Sequence, residues 1–460
     1  MTQSSAKVEG SFRDPNGFVF KHSGKFYRQI NKSYQSDFEL LITSGLHASL
    51  EKKGLLIQFK EAPMDLASGS EAYKIIEPEQ LDFISYPYEW SFSQLKDAAL
   101  TTLKIQKEAL NAGMSLKDSS AYNIQFHQGK AVFIDSLSFE KYKEGSPWVA
   151  YRQFCQHFLA PLALMAYSDI RLNLLLKVFI DGIPLDMASS LLPGKSKFNF
   201  SLLSHIHFHA KGQKRYQDKQ VQSKNMKMSK FLLLALMDSL EGAIKKLKWK
   251  PKDTEWGDYY EATNYSNEAI NEKKRLVESF IDLAKPSRVW DLGANTGEFS
   301  RLASTKDIAT VAFDIDPAAV EKNYLHVKQH AEKCILPLIL DLTNPSAGIG
   351  WHNTERMSLQ NRGPVDLVMA LALVHHLAIS NNVPLIKVAE YLSALGKYLI
   401  IEFVPKSDSQ VIRLLSTRED VFPHYTLEDF EKEFSAYFSI EKKVNVSNTE
   451  RTLFLMKTIH

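Results

Sequence analysis

Three groups of residues in this 460-residue chain have types and spacing suited to chemistry. The first is Asp291-Leu-Gly293-Ala-Asn295-Thr-Gly297, which follows the apolar run Val289-Trp290 and opens into a helical pattern over Glu298–Ser304. Glycines let the backbone turn sharply and approach a ligand without a Cβ penalty. The spacing is Asp-x-Gly-x-x-x-Gly, not the Gly-x-Gly-x-x-Gly that cradles a pyrophosphate. An acid inside the loop repels phosphates and suits an ammonium group. Asp314 follows Asp291 by 23 residues, close to the ~20-residue interval at which a carboxylate meets ribose hydroxyls. Its neighbour Asp316 precedes Pro317 and reads as a helix N-cap. The second group is His375-His376, at the end of the apolar run Leu367–Val374. A histidine near its ordinary pKa can accept a proton from a nucleophile; on another reading one ring caps backbone groups and the other packs. The third is Asp118, Asn123 and Asp135. Phosphoryl transfer needs a carboxylate beside the attacking hydroxyl, with an Asn and an Asp on magnesium; alternatively, these residues make turn hydrogen bonds.

The first group resembles motif I of the class I S-adenosylmethionine-dependent methyltransferases, and the resemblance continues in order over about the last 200 residues. Ala312-Phe-Asp314-Ile-Asp316 looks like the second strand end, and Leu338-Ile-Leu-Asp341 like the third. Val365–His376 resembles the fourth strand and active-site loop, and Tyr398–Pro405 the fifth. The resemblance implies a Rossmann-like sheet with helices on both faces, and S-adenosylmethionine held at Asp291, Gly293, Asn295, Gly297, Asp314, Asp341 and Ala370. It puts Asp341 at the adenine amino group and transfer beside His375 and His376. Tyr265 and the following Lys273 and Lys274 resemble the approach helix of these enzymes, with Tyr259, Tyr260 and Tyr265 as candidates to line the methionine end. Ala370-Leu-Ala-Leu stands where exocyclic-amine methyltransferases carry Asn/Asp-Pro-Pro-Tyr, which argues against an acceptor of that type. The methyl acceptor stays unidentified. Glu402 is a further polar candidate for the pocket.

The third group is similar to the catalytic segment of protein-kinase-like and aminoglycoside-phosphotransferase-like folds. Asp118 precedes Asn123 by the kinase spacing, and Gln128-Gly129 turns between two short strands that lead to Asp135. The surroundings agree: a hairpin-rich start, a hinge-like Tyr86-Pro-Tyr-Glu-Trp90, then a long helix. There are departures. No His precedes Asp118, no clear glycine-rich phosphate loop is present, and Ser-Leu follows Asp135. Lys25 and Arg28 are stand-ins for the strand lysine. The resemblance implies either a module that holds the acceptor or a nucleotide, or an active phosphotransferase.

These sites need scaffolds. At about 150 residues per domain the length allows two or three. The grammar favours two: an α+β part over 1–250 and an α/β methyltransferase-like part over 251–460. In the first, Asn16-Gly17 and Ser23-Gly24 punctuate short strands, and helices are predicted over 37–50, 91–111 and 231–246. From Trp148 to Leu191 the pattern is helical and strongly apolar. After Ile270 strands and helices alternate, which indicates a parallel sheet with crossover helices.

With 56 Lys+Arg against 53 Asp+Glu, 44% hydrophobic and 24% charged residues, the chain is neither disordered nor wholly basic. Cys155 and Cys334 alone cannot make a disulfide framework or a Cys-rich zinc module. No signal-like or membrane-spanning apolar run is seen, so a soluble cytoplasmic protein without a membrane partner is expected. The lysine-rich stretch 211–230 reads as a solvated loop. It would also suit phosphate groups of RNA or of a nucleotide-linked substrate, though no aromatics are interleaved to stack bases. His205, His207 and His209 would share one face of a strand, a geometry that can bind a transition metal, but no carboxylate or cysteine partner is evident.

Overall fold

Apolar runs separated by helices must bury both faces of their sheet, and this dictates the C-terminal half of the computed structural model. The structure describes residues 6–208, 227–251, 267–416 and 419–459. They form two compact units, Met1–Lys250 with Ile349–Arg356, and Pro251–Gly348 with Met357–His460. The segment Ile349–Arg356 thus belongs with the first unit, where the buried Glu355 carboxylate takes Arg13 Nε at 2.5 Å.

The first unit begins with β1 (Ala6–Lys7), β2 (Gly17–His22), β3 (Lys25–Asn31), β4 (Phe59–Ala62) and β5 (Ala72–Pro78), an antiparallel sheet in the order β1-β2-β3-β5-β4. Ser23 and Gly24, both at positive φ, close the β2–β3 hairpin as their sequence predicts. Between β3 and β4 lie α1 (Gln35–Thr43) and α2 (Leu46–Lys52). One helix was expected over 37–50; Gly45, at φ +73°, splits it. Ile30, Tyr34, Phe38, Ile76 and Leu137 join this region into one core. Then comes α3 (Phe92–Asn111), capped by Ser91 and Gln94 in a reciprocal box. Leu95, Ala98, Ala99, Leu103, Ala109 and Leu110 form an apolar stripe on its buried face, and Ile105 is buried with them.

Four short strands follow, β6 (Met114–Leu116), β7 (Ile124–His127), β8 (Lys130–Phe133) and β9 (Phe139–Lys141). β6 pairs with β9 and β7 with β8, framing the segment that carries Asp118, Asn123 and Asp135. An antiparallel sheet with a helical insert, a long helix and paired short strands around that segment agree with the protein-kinase-like resemblance. From Tyr151 to Leu191 the chain is helical in short pieces, not as one long run. Most of the lysine-rich stretch 211–230 lies outside the described residues.

The second unit contains β10 (Arg288–Leu292), β11 (Ala309–Asp314), β12 (Ile335–Ile339), β13 (Val365–Ala370), β14 (Gly396–Phe403), β15 (Phe438–Asn445) and β16 (Thr452–Thr458). Their order is β12-β11-β10-β13-β14-β16-β15. The first five are parallel, and β16 inserts antiparallel between β14 and β15. This is the Rossmann-like sheet of class I methyltransferases, the third-second-first-fourth-fifth-seventh-sixth order closed by a reversed strand. On one face the helix Asn267–Ala284 lays Val277, Phe280 and Ile281 on Val289, Leu367, Met369 and Ile400, and Val327 of the helix Pro317–His330 packs on Ala312 and Ile335. On the other face Phe430 packs against Phe403 and Phe454 with tilted rings. Helices therefore cover both faces, as expected. The strands are laid down outward in one direction from β10 to β12 and in the other from β13, so the strand order reverses between the parallel neighbours β10 and β13, and the crevice at such a switch point is where doubly wound sheets bind ligands.

Candidate active site

At the C-terminal ends of β10, β11 and β12 three carboxylates face one cavity of about 370 Å³, lined also by Gly293, Asn295 and His376. Asp291 ends up buried because β10 is the central strand. It accepts the Ser300 hydroxyl at 2.6 Å. Burial, reinforced by Asp314, pushes its pKa up to about 7, against the lowering effect of Ser300 and Lys273. Asp314 accepts the N–H groups of Asn295 at 2.7 Å and Asp316 at 2.8 Å, and burial raises it to about 6. Asp316 caps the next helix through Ala318, as its position before proline predicts. Asp341, half-buried, accepts the amide and hydroxyl of Thr343 at 2.8 and 2.7 Å.

The glycine loop is held by its own amides. Gly293 and Ala294 both donate to the Phe313 carbonyl, at 2.9 and 2.8 Å, and Gly297 donates to Ala294 at 2.8 Å. The Thr296 amide donates to Asn295 Oδ1 at 2.8 Å. Gly297 has φ +81°, and a Cβ there would lie 2.5 Å from Asn323 Nδ2, so it serves helix packing and does not line the cavity. Gly293 is at φ +80° and does line it. Ala370 is buried inside β13; the wall beyond it is Leu371, Ala372 and Leu373.

The two histidines separate in role. Their rings lie 4.1 Å apart, but His376 lines the cavity and His375 does not. Burial lowers His376 to about 4, so its ring is neutral near pH 7. His375 is 1% exposed, and neither ring nitrogen has a hydrogen-bond partner among the described residues. Burial first, and then the neighbouring His376, Arg451 and Lys273, hold its pKa well below the usual value. Lys273 also lines the cavity, with Nζ 2.7 Å from Glu402 Oε2 and 4.8 Å from the Phe299 ring. Arg451 stands 3.8 Å from Glu402 and 2.8 Å from Asp408. Tyr259, Tyr260 and Tyr265 lie outside the described residues.

In the first unit Asn123 and Asp135 meet at Ser138, and Asp118 interacts with both of them. Asn123 Nδ2 donates to Ser138 Oγ at 3.2 Å, and that hydroxyl donates to Asp135 Oδ2 at 2.5 Å. Burial raises the Asp118 pKa, with a further push from Asp135. Burial would raise Asp135 too, but the Arg28 guanidinium and the Ser138 and Leu137 donors outweigh it and hold the carboxyl low. Of the two candidate stand-ins, Arg28 pairs with Asp135, whereas Lys25 pairs with Glu77 at 3.0 Å.

No family model matches the chain. Nodulation protein NoeA of Rhizobium meliloti (strain 1021) is 35% identical over 457 residues, covering 97% of this chain and 95% of that one. The chain belongs to the NoeA family. Among solved structures, the magnesium protoporphyrin IX methyltransferase ChlM from Synechocystis PCC 6803 is 16% identical at a TM-score of 0.31, covering 44% of this chain and 92% of that one. The bifunctional kinase-methyltransferase WbdD is 17% identical at a TM-score of 0.27, covering 41% of this chain and 38% of that one. At these scores the strand order, not the likeness, carries the fold.

Two features of this NoeA-family chain escape sequence reading. Lys273 and Glu402 are 129 residues apart and meet only when the helix Asn267–Ala284 lies across β14; a lone lysine within that helix's apolar stripe was the available signal. The histidines 205 and 207 belong to a helical turn, Leu203–Phe208, rather than the expected strand. His205 bonds Tyr151 at 2.7 Å and Ser239 at 3.1 Å. His207 bonds Ser189 at 2.8 Å and Ser196 at 2.9 Å. His209 lies outside the described residues. Both NoeA-family histidines are thus structural ties.

Proposed function

We propose that the C-terminal unit is an S-adenosylmethionine-dependent methyltransferase acting on an unidentified acceptor not of the exocyclic-amine type. The observation that carries this reading is the set of three carboxylates, Asp291, Asp314 and Asp341, at the ends of three adjacent strands around one cavity. The residues fit the cofactor. A buried carboxyl with a raised pKa wants a cation, which the aminoacid ammonium would give Asp291. On this reading Asp314 would hold the ribose hydroxyls and Asp341 the adenine amino group. When bound, the cofactor supplies a methyl group on a positively charged sulfur. Little covalent work then falls to the protein, and positioning supplies much of the acceleration. The apolar wall of Leu371, Leu373, Leu377 and Leu414 would exclude water from the cavity around the bound cofactor. A neutral His376 ring nitrogen accepts a hydrogen bond from the acceptor and takes its proton as the acceptor's acidity rises during transfer.

Calorimetry with the cofactor and its demethylated product tests the reading. Binding that Asp291→Ala abolishes is the expected result; no binding at millimolar concentration, or binding untouched by the substitution, overturns it.

The first unit serves on this reading as an acceptor-binding or regulatory module. The alternative, a unit that binds a nucleotide or transfers phosphate, is favoured by Asn123 and Asp135 sharing Ser138 while Asp118 interacts with both. It requires Arg28 to share Asp135 with a magnesium ion. A thermal shift with ATP and magnesium that Asp135→Ala removes supports the alternative, and its absence rejects it.

A further inference from the structure

In the helical part of the first unit, large apolar side chains are turned outward by a segment that is firmly held. Phe198 is 93% exposed, Phe200 78%, Phe208 53% and Phe231 77%. These are not frayed ends. Ser196 is buried and bonded to His207, Leu202 and Ile206 are buried, and Asn199 accepts the amides of Ser201 and Leu202 at 3.1 and 3.3 Å. The short helix Phe200–Leu202 packs against the helix Lys230–Lys246, whose first turn, capped by Ser229, presents Phe231 and the half-exposed Leu232. Leu191 is also exposed. Exposed apolar clusters of this kind mark contact surfaces.

Charge says what kind. Lys195 and Lys197 precede Phe198 and Phe200 in the chain, Lys227 and Lys230 precede Phe231, and neither 192–208 nor 227–233 contains an Asp or Glu. Glu144 accepts the Lys230 backbone amide at 3.3 Å. A second copy docking across a two-fold axis would set these lysines against their own images. Single-stranded RNA would use the aromatics for stacking but leave Leu191 and Leu232 without partners. A bilayer with anionic headgroups uses all three features: phenylalanines and leucines enter the headgroup–acyl boundary while lysines meet the phosphates.

We infer that the Phe198–Phe200–Phe208–Phe231 face with Lys195, Lys197, Lys227 and Lys230 docks this protein on an anionic membrane surface. This is peripheral contact. No helix among the described residues is long and apolar enough to cross a membrane, so the expectation of no membrane partner is narrowed to spanning. The docking is independent of the cofactor site.

The full chain is sedimented with sucrose-loaded vesicles of phosphatidylcholine, with and without phosphatidylserine. Binding only to the serine-containing vesicles is expected, weakened by high salt. Phe198→Ser with Phe200→Ser, and separately Lys195→Gln with Lys197→Gln, each lower the bound fraction about tenfold. Both pairs are exposed, so the thermal midpoint stays unchanged, which separates lost docking from lost folding. Equal binding to neutral vesicles, an unaffected phenylalanine variant, or self-association or oligonucleotide binding in place of vesicle binding each overturn the inference.

Discussion

The Lys273 ammonium lies 2.7 Å from Glu402 Oε2, and neither side chain is more than 4% exposed. A buried pair of this kind is costly to break from one side, because the remaining charge has no solvent to turn to. Glu402→Gln is therefore expected to lower unfolding stability by about 3 kcal/mol. Lys273→Met combined with Glu402→Leu should recover most of it. Denaturant midpoints of the two variants decide the matter: equal losses would show that the pair acts as packing alone.

Asp291→Asn keeps the shape of the site and an acceptor for Ser300, but removes the charge. The affinity for S-adenosylhomocysteine should fall about 10- to 100-fold, the worth of one charge-assisted hydrogen bond. Titration calorimetry gives the ratio directly.

The raised pKa values of Asp291, about 7, and Asp314, about 6, set a pH dependence. An unfolded aspartate titrates near 3.9, so between about pH 4 and 7 these two groups hold more protons in the native state than in the unfolded one. Their contribution to the stability of the ligand-free protein is therefore most favourable below that window, declines as pH rises through it, and levels off above it; the buried neutral His375 and His376 contribute in the opposite sense. Cofactor binding runs the other way, since only ionised Asp291 attracts the ammonium. Affinity should weaken by about tenfold per pH unit below 6 and level off above about 8, and Asp291→Asn should flatten that slope.

His376→Asn should lower the rate of labelled methyl transfer by about 10²-fold while leaving cofactor affinity within about threefold. His375→Leu acts on stability instead. It replaces a buried ring without hydrogen-bond partners by an apolar side chain, and should raise the unfolding free energy by about 1 kcal/mol. A stability loss in that variant would show that the His375 ring is satisfied in solution.

Gly297→Ala meets both a positive φ and a contact of 2.5 Å with Asn323. A loss of about 2 kcal/mol is expected, larger than for a glycine with only one of these constraints. Thermal unfolding of the variant measures it.

What could be read from the sequence was local. The loop from Asp291 to Gly297 announces itself because glycines at fixed offsets have few uses, and strand ends such as Asp314 follow at a set interval. The α3 stripe was legible for the same reason, as one helix face repeats within one stretch of chain. Contacts of high sequence separation were not. Lys273 with Glu402, and Arg28 with Asp135 across 107 residues, are decided by packing. The histidines 205 and 207 show a further limit. Spacing by two residues suits a strand face, but their partners Tyr151, Ser189, Ser196 and Ser239 lie on other helical segments, which reward a helical turn. Gly45 was visible, but only the backbone shows that it takes the left-handed conformation that divides α1 from α2.

From Gly293 to Gly297 five consecutive amides donate inside the protein, to Phe313, Asp314, Asn295 and Ala294. A dinucleotide cofactor would need those amides free for its pyrophosphate. It would meet instead a loop with its donors already committed and carboxylates at its rim. Selectivity against nicotinamide and flavin dinucleotides is thus built into the turn itself, before any side chain of the acceptor end is consulted.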